Sequence, residues 1–599
     1  MKSNEKIRKY TDRQLFSKIF KYIKPALPRF ILAMIFVIII VLLDLLPAIL
    51  TGEVVKILNN EPSVFEHIPL GKIELIGLVL LVYGLVLIGA CFINYFYQKL
   101  LQNIGQDLVY TVRKDTFHHL ENLSIGQLQK EPIGKLVTRV TNDTNSLSEL
   151  FTSVLVLLIK YIITIIAIYV LMWITSPKLT LYISCVLPFI FISSFIFRGL
   201  SRKTYRSVRN NISIMNSYLS ENISGMKVTQ IFNQEEKKYN EFLEHNKALK
   251  KAHLTQIFLF SIFRPFMYLL FVVCTVICLY FGSIEIKNGQ MITGSLVTYY
   301  TLVEKFFNPI ENLAEQFNQL QSSLASCEKI FTVLDTKKEI CDEPNAIDCG
   351  KLKGKIEFRN VWFAYNPGVW ILKDVSFTIE AGKTCAFVGA TGAGKTTILS
   401  LICRNYEFQK GQILIDDIDI RTIKIDALRR NIGQMLQDVF LFSGQIRDNI
   451  TIYNSSYSDS EIMKAAKFVN ADKLIEKYPD LLDHKVEERG VNYSSGERQL
   501  ISFARTILSN PNIMILDEAT ANIDTETEKV IQDSLEKMMS IGTMLIVAHR
   551  LSTIQHADKI IVLNHGEIVE SGNHQELLKK KGAYYTLYKL QYKDQENAQ

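Results

Sequence analysis

Residues 389–396, inside TCAFVGATGAGKTTIL, follow the spacing G-x-x-x-x-G-K-[ST]. Gly389, Gly392 and Gly394, set among the small residues Ala390, Thr391 and Ala393, let backbone N–H groups close around phosphate oxygens. Lys395 reaches the β- and γ-phosphates, Thr396 offers a hydroxyl to Mg2+, and Thr397 completes the phosphate-binding stretch. Downstream, NIMILDEAT is an apolar run that ends in two carboxylates. Asp517 suits Mg2+, directly or through water, and Glu518 suits polarising the water that attacks a γ-phosphate. MLIVAHR ends in His549, a candidate to contact the γ-phosphate and link it to the carboxylate. An Asp-Glu pair after a strand is ordinarily a solvated turn, and a lone strand-end histidine is ordinarily structural. In this order, behind a phosphate loop, they point instead to hydrolysis of ATP with Mg2+.

Such a loop works only between a strand and a helix. Residues 384–388 read as the strand and the residues after Lys395 as the helix. From about 353 to 599 short β-rich runs alternate with helical patterns, an α/β domain. A polar linker, 336–352, precedes it. Residues 1–335 differ in kind, with long apolar stretches at 30–50, 73–95, 154–174, 179–197, 257–281 and 291–310. Each approaches the ~20 residues a helix needs to cross a bilayer. The expected architecture is therefore an all-α six-helix transmembrane domain followed by an α/β P-loop ATPase domain.

The loops around 98–152 and 198–256 are long, polar and helix-patterned, and carry Arg113, Lys114, Lys135 and Arg139, then Arg202, Lys203, Arg206 and Arg209. Positive charge marks the cytoplasmic side, which places both loops, the N-terminus and the ATPase domain inside the cell. Asp44, Lys160, Arg264, Glu304 and Lys305 lie in or beside the spans. They either line a watery pathway or sit where helices project past the lipid. Pro47, Pro188, Pro265 and Pro309 are candidate kinks.

Composition excludes several classes. With 599 residues, 48% of them hydrophobic, and a positive mean hydropathy, the chain is neither disordered nor an ordinary soluble enzyme. A net charge of +7 is modest. The basic first 29 residues, with only Glu5 and Asp12 acidic, suit a membrane surface better than nucleic acid. No removable signal peptide is expected. The nine cysteines include no C-x-x-C pair and read as reduced thiols.

Over almost its whole length the chain resembles an ABC exporter half-transporter. VWFAYNPG looks like the A-loop, in which Tyr365 stacks on adenine. GQMLQDVFLF looks like the Q-loop, in which Gln437 reaches Mg2+ and the attacking water. ANID looks like the D-loop, with Asp524 at the dimer interface, and His549 matches the H-loop. ENLSIGQLQKEPIGKLVTRVTND and LSENISGMKVTQIFNQEE resemble the two intracellular loops, with coupling helices expected near 124–129 and 219–226. The resemblance implies alternating access by a dimer in a bacterial cell membrane. Each of its two ATP sites would join one chain's phosphate loop to the other's signature.

That signature, usually LSGGQ, is YSSGE here. Ser494 and Gly496 match, and Arg498 and Gln499 continue the pattern. Ser495 replaces a glycine against which the nucleotide must pack, and Glu497 puts a negative charge near a polyphosphate. Glu487, in VEERG before it, also replaces the family's usual glycine. Intact catalytic residues beside a weak signature resemble one subunit of bacterial heterodimeric multidrug exporters. The expected partner is thus a second, different half-transporter, and the cargo a drug or membrane lipid, a small amphipath. A homodimeric lipid or peptide exporter, and a membrane-bound regulatory ATPase without transport, are the alternatives.

Overall fold

The computed structural model describes residues 10–436, 438–517, 525–547 and 554–597. The chain divides into two compact units, Met1–Glu121 with Pro132–Thr336, and Asn122–Glu131 with Lys337–Gln599. Among its described residues the first consists of helices and the connections between them. Five of its helices are long and apolar enough to cross a membrane, among the described residues. They cover Arg13–Leu58, Lys72–Glu121, Ile133–Thr175, Pro177–Ser224 and Glu235–Lys287. A sixth, Thr293–Leu334, buries Tyr299, Leu302, Val303, Phe306, Phe307 and Ile310 in the same core as the other spans.

The second and fifth helices have 50 and 53 residues. At 1.5 Å per residue they run about 75–80 Å, against a hydrocarbon core of about 30 Å. The long polar loops of the sequence are therefore largely continuations of spanning helices. Pro188 starts the helix Leu187–Ser224 after a break in the fourth span, whereas Pro47, Pro265 and Pro309 lie inside continuous helices. Ahead of the first span, the amphipathic helix Asp12–Ile23 is capped by Thr11 and Gln14 and buries Leu15, Ile19 and Ile23.

Three of the charges in or beside the spans answer one another. Lys160 lies 3.5 Å from the Asp44 carboxylate, and the Lys305 ammonium donates to the Asp44 backbone carbonyl. Pairing across the first, third and sixth spans lowers the cost of charge at membrane depth. The first and sixth spans also touch closely where both carry glycine. A Cβ built on Gly52 falls 2.7 Å from the Gly294 carbonyl oxygen.

In the second unit the strands are β1 (Ile356–Phe363), β2 (Leu372–Ile379), β3 (Thr384–Val388), β4 (Lys410–Ile415), β5 (Ile418–Asp419) and β6 (Ile432–Met435). They continue with β7 (Gly444–Gln445), β8 (Lys485–Val486), β9 (Ile513–Asp517), β10 (Thr543–Val547), β11 (Lys559–Asn564) and β12 (Glu567–Gly572). An antiparallel sheet has the order β2-β1-β4-β5. The sheet β12-β11-β3-β10-β9-β6 is parallel except at β11–β12. Strands β3 and β10 are buried at every position, as strands covered on both faces must be. Register pairs Val547 of β10 with both Phe387 and Asp517, so the carboxyl ends of β3, β10 and β9 stop level. Open parallel sheets bind ligands at that edge.

Gly52→Val tests the helix contact: overpacking there costs about 1–3 kcal/mol. The expected result is a lower melting temperature in detergent, and unchanged melting would refute the contact.

Candidate nucleotide site

The phosphate loop leaves β3 at Gly389 and enters the helix Lys395–Ile402. Gly389 and Gly394 have φ of +153° and +103°, where a side chain is strained. A Cβ on Gly394 would also lie 2.7 Å from Leu372, and one on Gly389 would strike the Leu563 carbonyl. Lys395 is only 7% exposed. Its ammonium donates to the Gly389 carbonyl at 2.6 Å and the Ala390 carbonyl at 3.1 Å, folded across the loop it serves.

The hydroxyl of Thr396 donates to Oδ1 of Asp517 at 3.4 Å, joining the helix start to the end of β9. The neighbouring Thr397 hydroxyl lies 3.1 Å from that of Tyr365. The fold thus gathers Tyr365, Lys395, Thr396, Thr397 and Asp517, from segments 152 positions apart, at one sheet edge. A basic group, backbone donors, two hard oxygens and an aromatic face are what a nucleoside triphosphate with Mg2+ requires. Gln437, Glu518, Asp524 and His549 lie outside the described residues.

Ser494 caps the helix Ser495–Leu508, which buries Gly496 and leaves Ser495 half-buried. The Glu497 N–H donates to the Ser494 hydroxyl at 3.2 Å, and the Ser494 N–H donates to the Glu497 carboxylate at 2.9 Å. Lys477 Nζ stands 3.0 Å from the other carboxylate oxygen. The charge that looked misplaced in the sequence therefore completes a capping box and an ion pair. Burial opposes ionisation of Glu497, but the Ser494 N–H and Lys477 outweigh it and hold the carboxyl below its ordinary value. The spacing S-x-x-E was legible in the sequence; Lys477, 20 positions upstream, was not. Tyr493 is 5% exposed and sets its ring edge-on to Tyr478, a core residue in the place of the usual leucine.

The first expected coupling helix is present as Ile125–Gln129, with Ser124 as its cap. Near the second, the chain stays in the long helix to Ser224 and breaks at Gly225; the short helix is Met226–Ile231. The sequence placed it too early, because helix-compatible residues continue up to the glycine that ends the longer helix.

A bundle of spanning helices and a P-loop ATPase fold in one chain define a membrane-bound, ATP-driven pump. Residues 30–310 match the ABC transporter transmembrane region, and residues 372–521 match the ABC transporter family. An uncharacterized ABC transporter ATP-binding protein of Bacillus subtilis, YknV, is 39% identical over 86% of this chain and 86% of its own. The ATP-dependent lipid A-core flippase of Syntrophus aciditrophicus is 33% identical over 97% of this chain and 95% of its own. A solved bacterial Atm1-family ABC exporter with ATP bound is 25% identical with a TM-score of 0.78, covering 95% of this chain and 98% of that one. The chain belongs to the ABC exporters. It is a half-transporter, a multi-pass cell-membrane protein whose ATP hydrolysis is coupled to transport.

Glu497→Gln keeps the cap and removes the charge pair. At neutral pH wild type is expected to exceed this variant in stability by up to about 1 kcal/mol, an exposed pair being screened. Because the folded carboxyl titrates below its unfolded value, the difference is full above about pH 4.3 and fades as pH falls further. Melting curves of both proteins between pH 3 and 7 check it; a gap independent of pH refutes it.

Proposed function

We propose that the chain drives ATP-dependent efflux of amphipathic compounds, drugs or lipids, as one half of a heterodimer. The observation that carries this reading is the union of Lys395, Thr396 and Asp517 at one sheet edge of a chain whose signature departs from the usual sequence. Tyr365 serves as the adenine platform, and residues 389–397 hold the phosphates. Thr396 and Asp517, with Gln437, would hold Mg2+, which would supply stabilisation of charge on the transferring phosphoryl group. Glu518 orients the attacking water and His549 contacts the γ-phosphate. Asp524 lies at the dimer interface.

In this reading Ser494, Ser495, Gly496 and Glu497 face the ATP held by the partner's phosphate loop. The Ser495 side chain makes that clamp weak, so hydrolysis runs at the site formed by this chain's Glu518 and the partner's signature. Binding of ATP favours the closed arrangement, and hydrolysis releases it. The flippase relative, which handles a lipid, supports an amphipathic cargo. A homodimer is the second reading. It is favoured by the Lys477–Glu497 pair, which removes much of the electrostatic objection to this signature.

Two measurements test the proposal. Ligand-stimulated ATPase activity is expected only with a second half-transporter, and robust stimulated turnover by this chain alone establishes the homodimer. Glu518→Gln is expected to lower turnover at least about 100-fold while ATP still binds; near-normal hydrolysis removes Glu518 from this role.

A further inference from the structure

The helix Ile125–Gln129 belongs by sequence to the loop between the second and third spans, yet it packs as part of the nucleotide unit. Most polar ties leading out of the segment 122–131 run to the linker. Gln127 donates to the Lys337 carbonyl at 2.8 Å, Lys130 pairs with Glu339 at 2.7 Å, and Lys338 donates to Asn122 at 3.0 Å. A different tie reaches the ATPase fold itself: the Tyr406 hydroxyl donates to Oε1 of Gln129 at 2.6 Å. Gly126 lies flat on the Tyr406 ring, where a Cβ would collide with it.

Tyr406 follows closely on the helix that leaves the phosphate loop. It stands four residues beyond the end of the helix that starts at Lys395. Between them Arg404, 3% exposed, donates to Glu407 at 2.9 Å and to the carbonyls of Ile423 and Cys341, each at 3.1 Å. This anchors the turn. Tyr406 also meets Tyr365 edge-on, with ring centroids 4.9 Å apart, and Phe363 closes the cluster at 4.8 Å from Tyr365. Tyr365 in turn touches the Thr397 hydroxyl. A phosphate oxygen that takes the Thr397 hydroxyl competes with Tyr365 for it. A base that stacks on Tyr365 fixes the ring whose edge contacts Tyr406. Binding at the nucleotide site thereby bears on a side chain that holds the loop helix.

We propose that Tyr406 is a positioning residue that transmits nucleotide occupancy at Tyr365 to the helix Ile125–Gln129 through its hydrogen bond to Gln129. The proposal rests on Tyr365 being the adenine platform of the exporter described above. Tyr406→Phe keeps the ring cluster and removes only the hydroxyl. Gln129→Ala removes the acceptor from the other side.

The test uses the full chain in lipid nanodiscs with the half-transporter it purifies with, and a non-hydrolysable ATP analogue. It reads analogue affinity together with hydrogen–deuterium exchange of residues 122–131. The analogue is expected to slow exchange there in wild type. Tyr406→Phe and Gln129→Ala are each expected to weaken that protection about fivefold, the size of one net hydrogen bond, and the double variant no further. Analogue affinity should stay within about twofold, since the phosphate loop is untouched. Three results overturn the proposal: no protection in wild type, protection that survives either substitution, or affinity falling as far as protection. Transport is not read, so a chain that moves no amphipath leaves this test intact while defeating the efflux reading.

Discussion

A polyphosphate is held where backbone N–H groups converge with no side chain in the way, and the nucleotide unit is organised around that requirement. The level ends of β3, β10 and β9 put the loop 389–396 and Asp517 at a common edge. Gly389 and Gly394 take backbone angles and spaces that a Cβ would spoil. The buried Lys395 folds its charge onto the loop's own carbonyls, which satisfies the ammonium within the fold. Everything farther away, from the Arg404 turn to the aromatic cluster at Tyr365, is referenced to this edge.

The membrane unit meets the opposite requirement, since charge there must be paired or excluded. Asp44, Lys160 and Lys305 come from three spans and answer one another. Glycines at 52 and 294 bring two of those spans close, as expected where packing replaces the hydrophobic effect between helices in lipid. Helices of 50 residues and more then carry the chain well past the bilayer, so that intracellular loops are extensions of spans. Rigid helices convey displacement over such lengths better than flexible linkers do.

The signature shows how a local reading misjudges a residue. Glu497, seen as a bare charge beside a phosphate site, is a helix cap paired to Lys477. Half of that was visible as S-x-x-E. The other half depends on a lysine brought near by the packing of the segment before it, which no spacing rule contains. The bounds expected for the second short helix, 219–226, differ from the observed Met226–Ile231 for a similar reason. Residues 219–224 suit a helix equally well as a short separate element or as the end of a long one, and the choice falls at Gly225.

The sequence by itself determined the two-part architecture, the approximate spans and the phosphate loop, because apolar length, charge bias and glycine spacing act locally along the chain. It also singled out Thr396 and Asp517, each through its own motif. Only the tertiary structure decided which charges are neutralised, where the loop helix 125–129 is held, and that Tyr406 stands between it and Tyr365. Those contacts join residues up to 277 positions apart. Their strength depends on distance and burial, which exist only once the chain has packed.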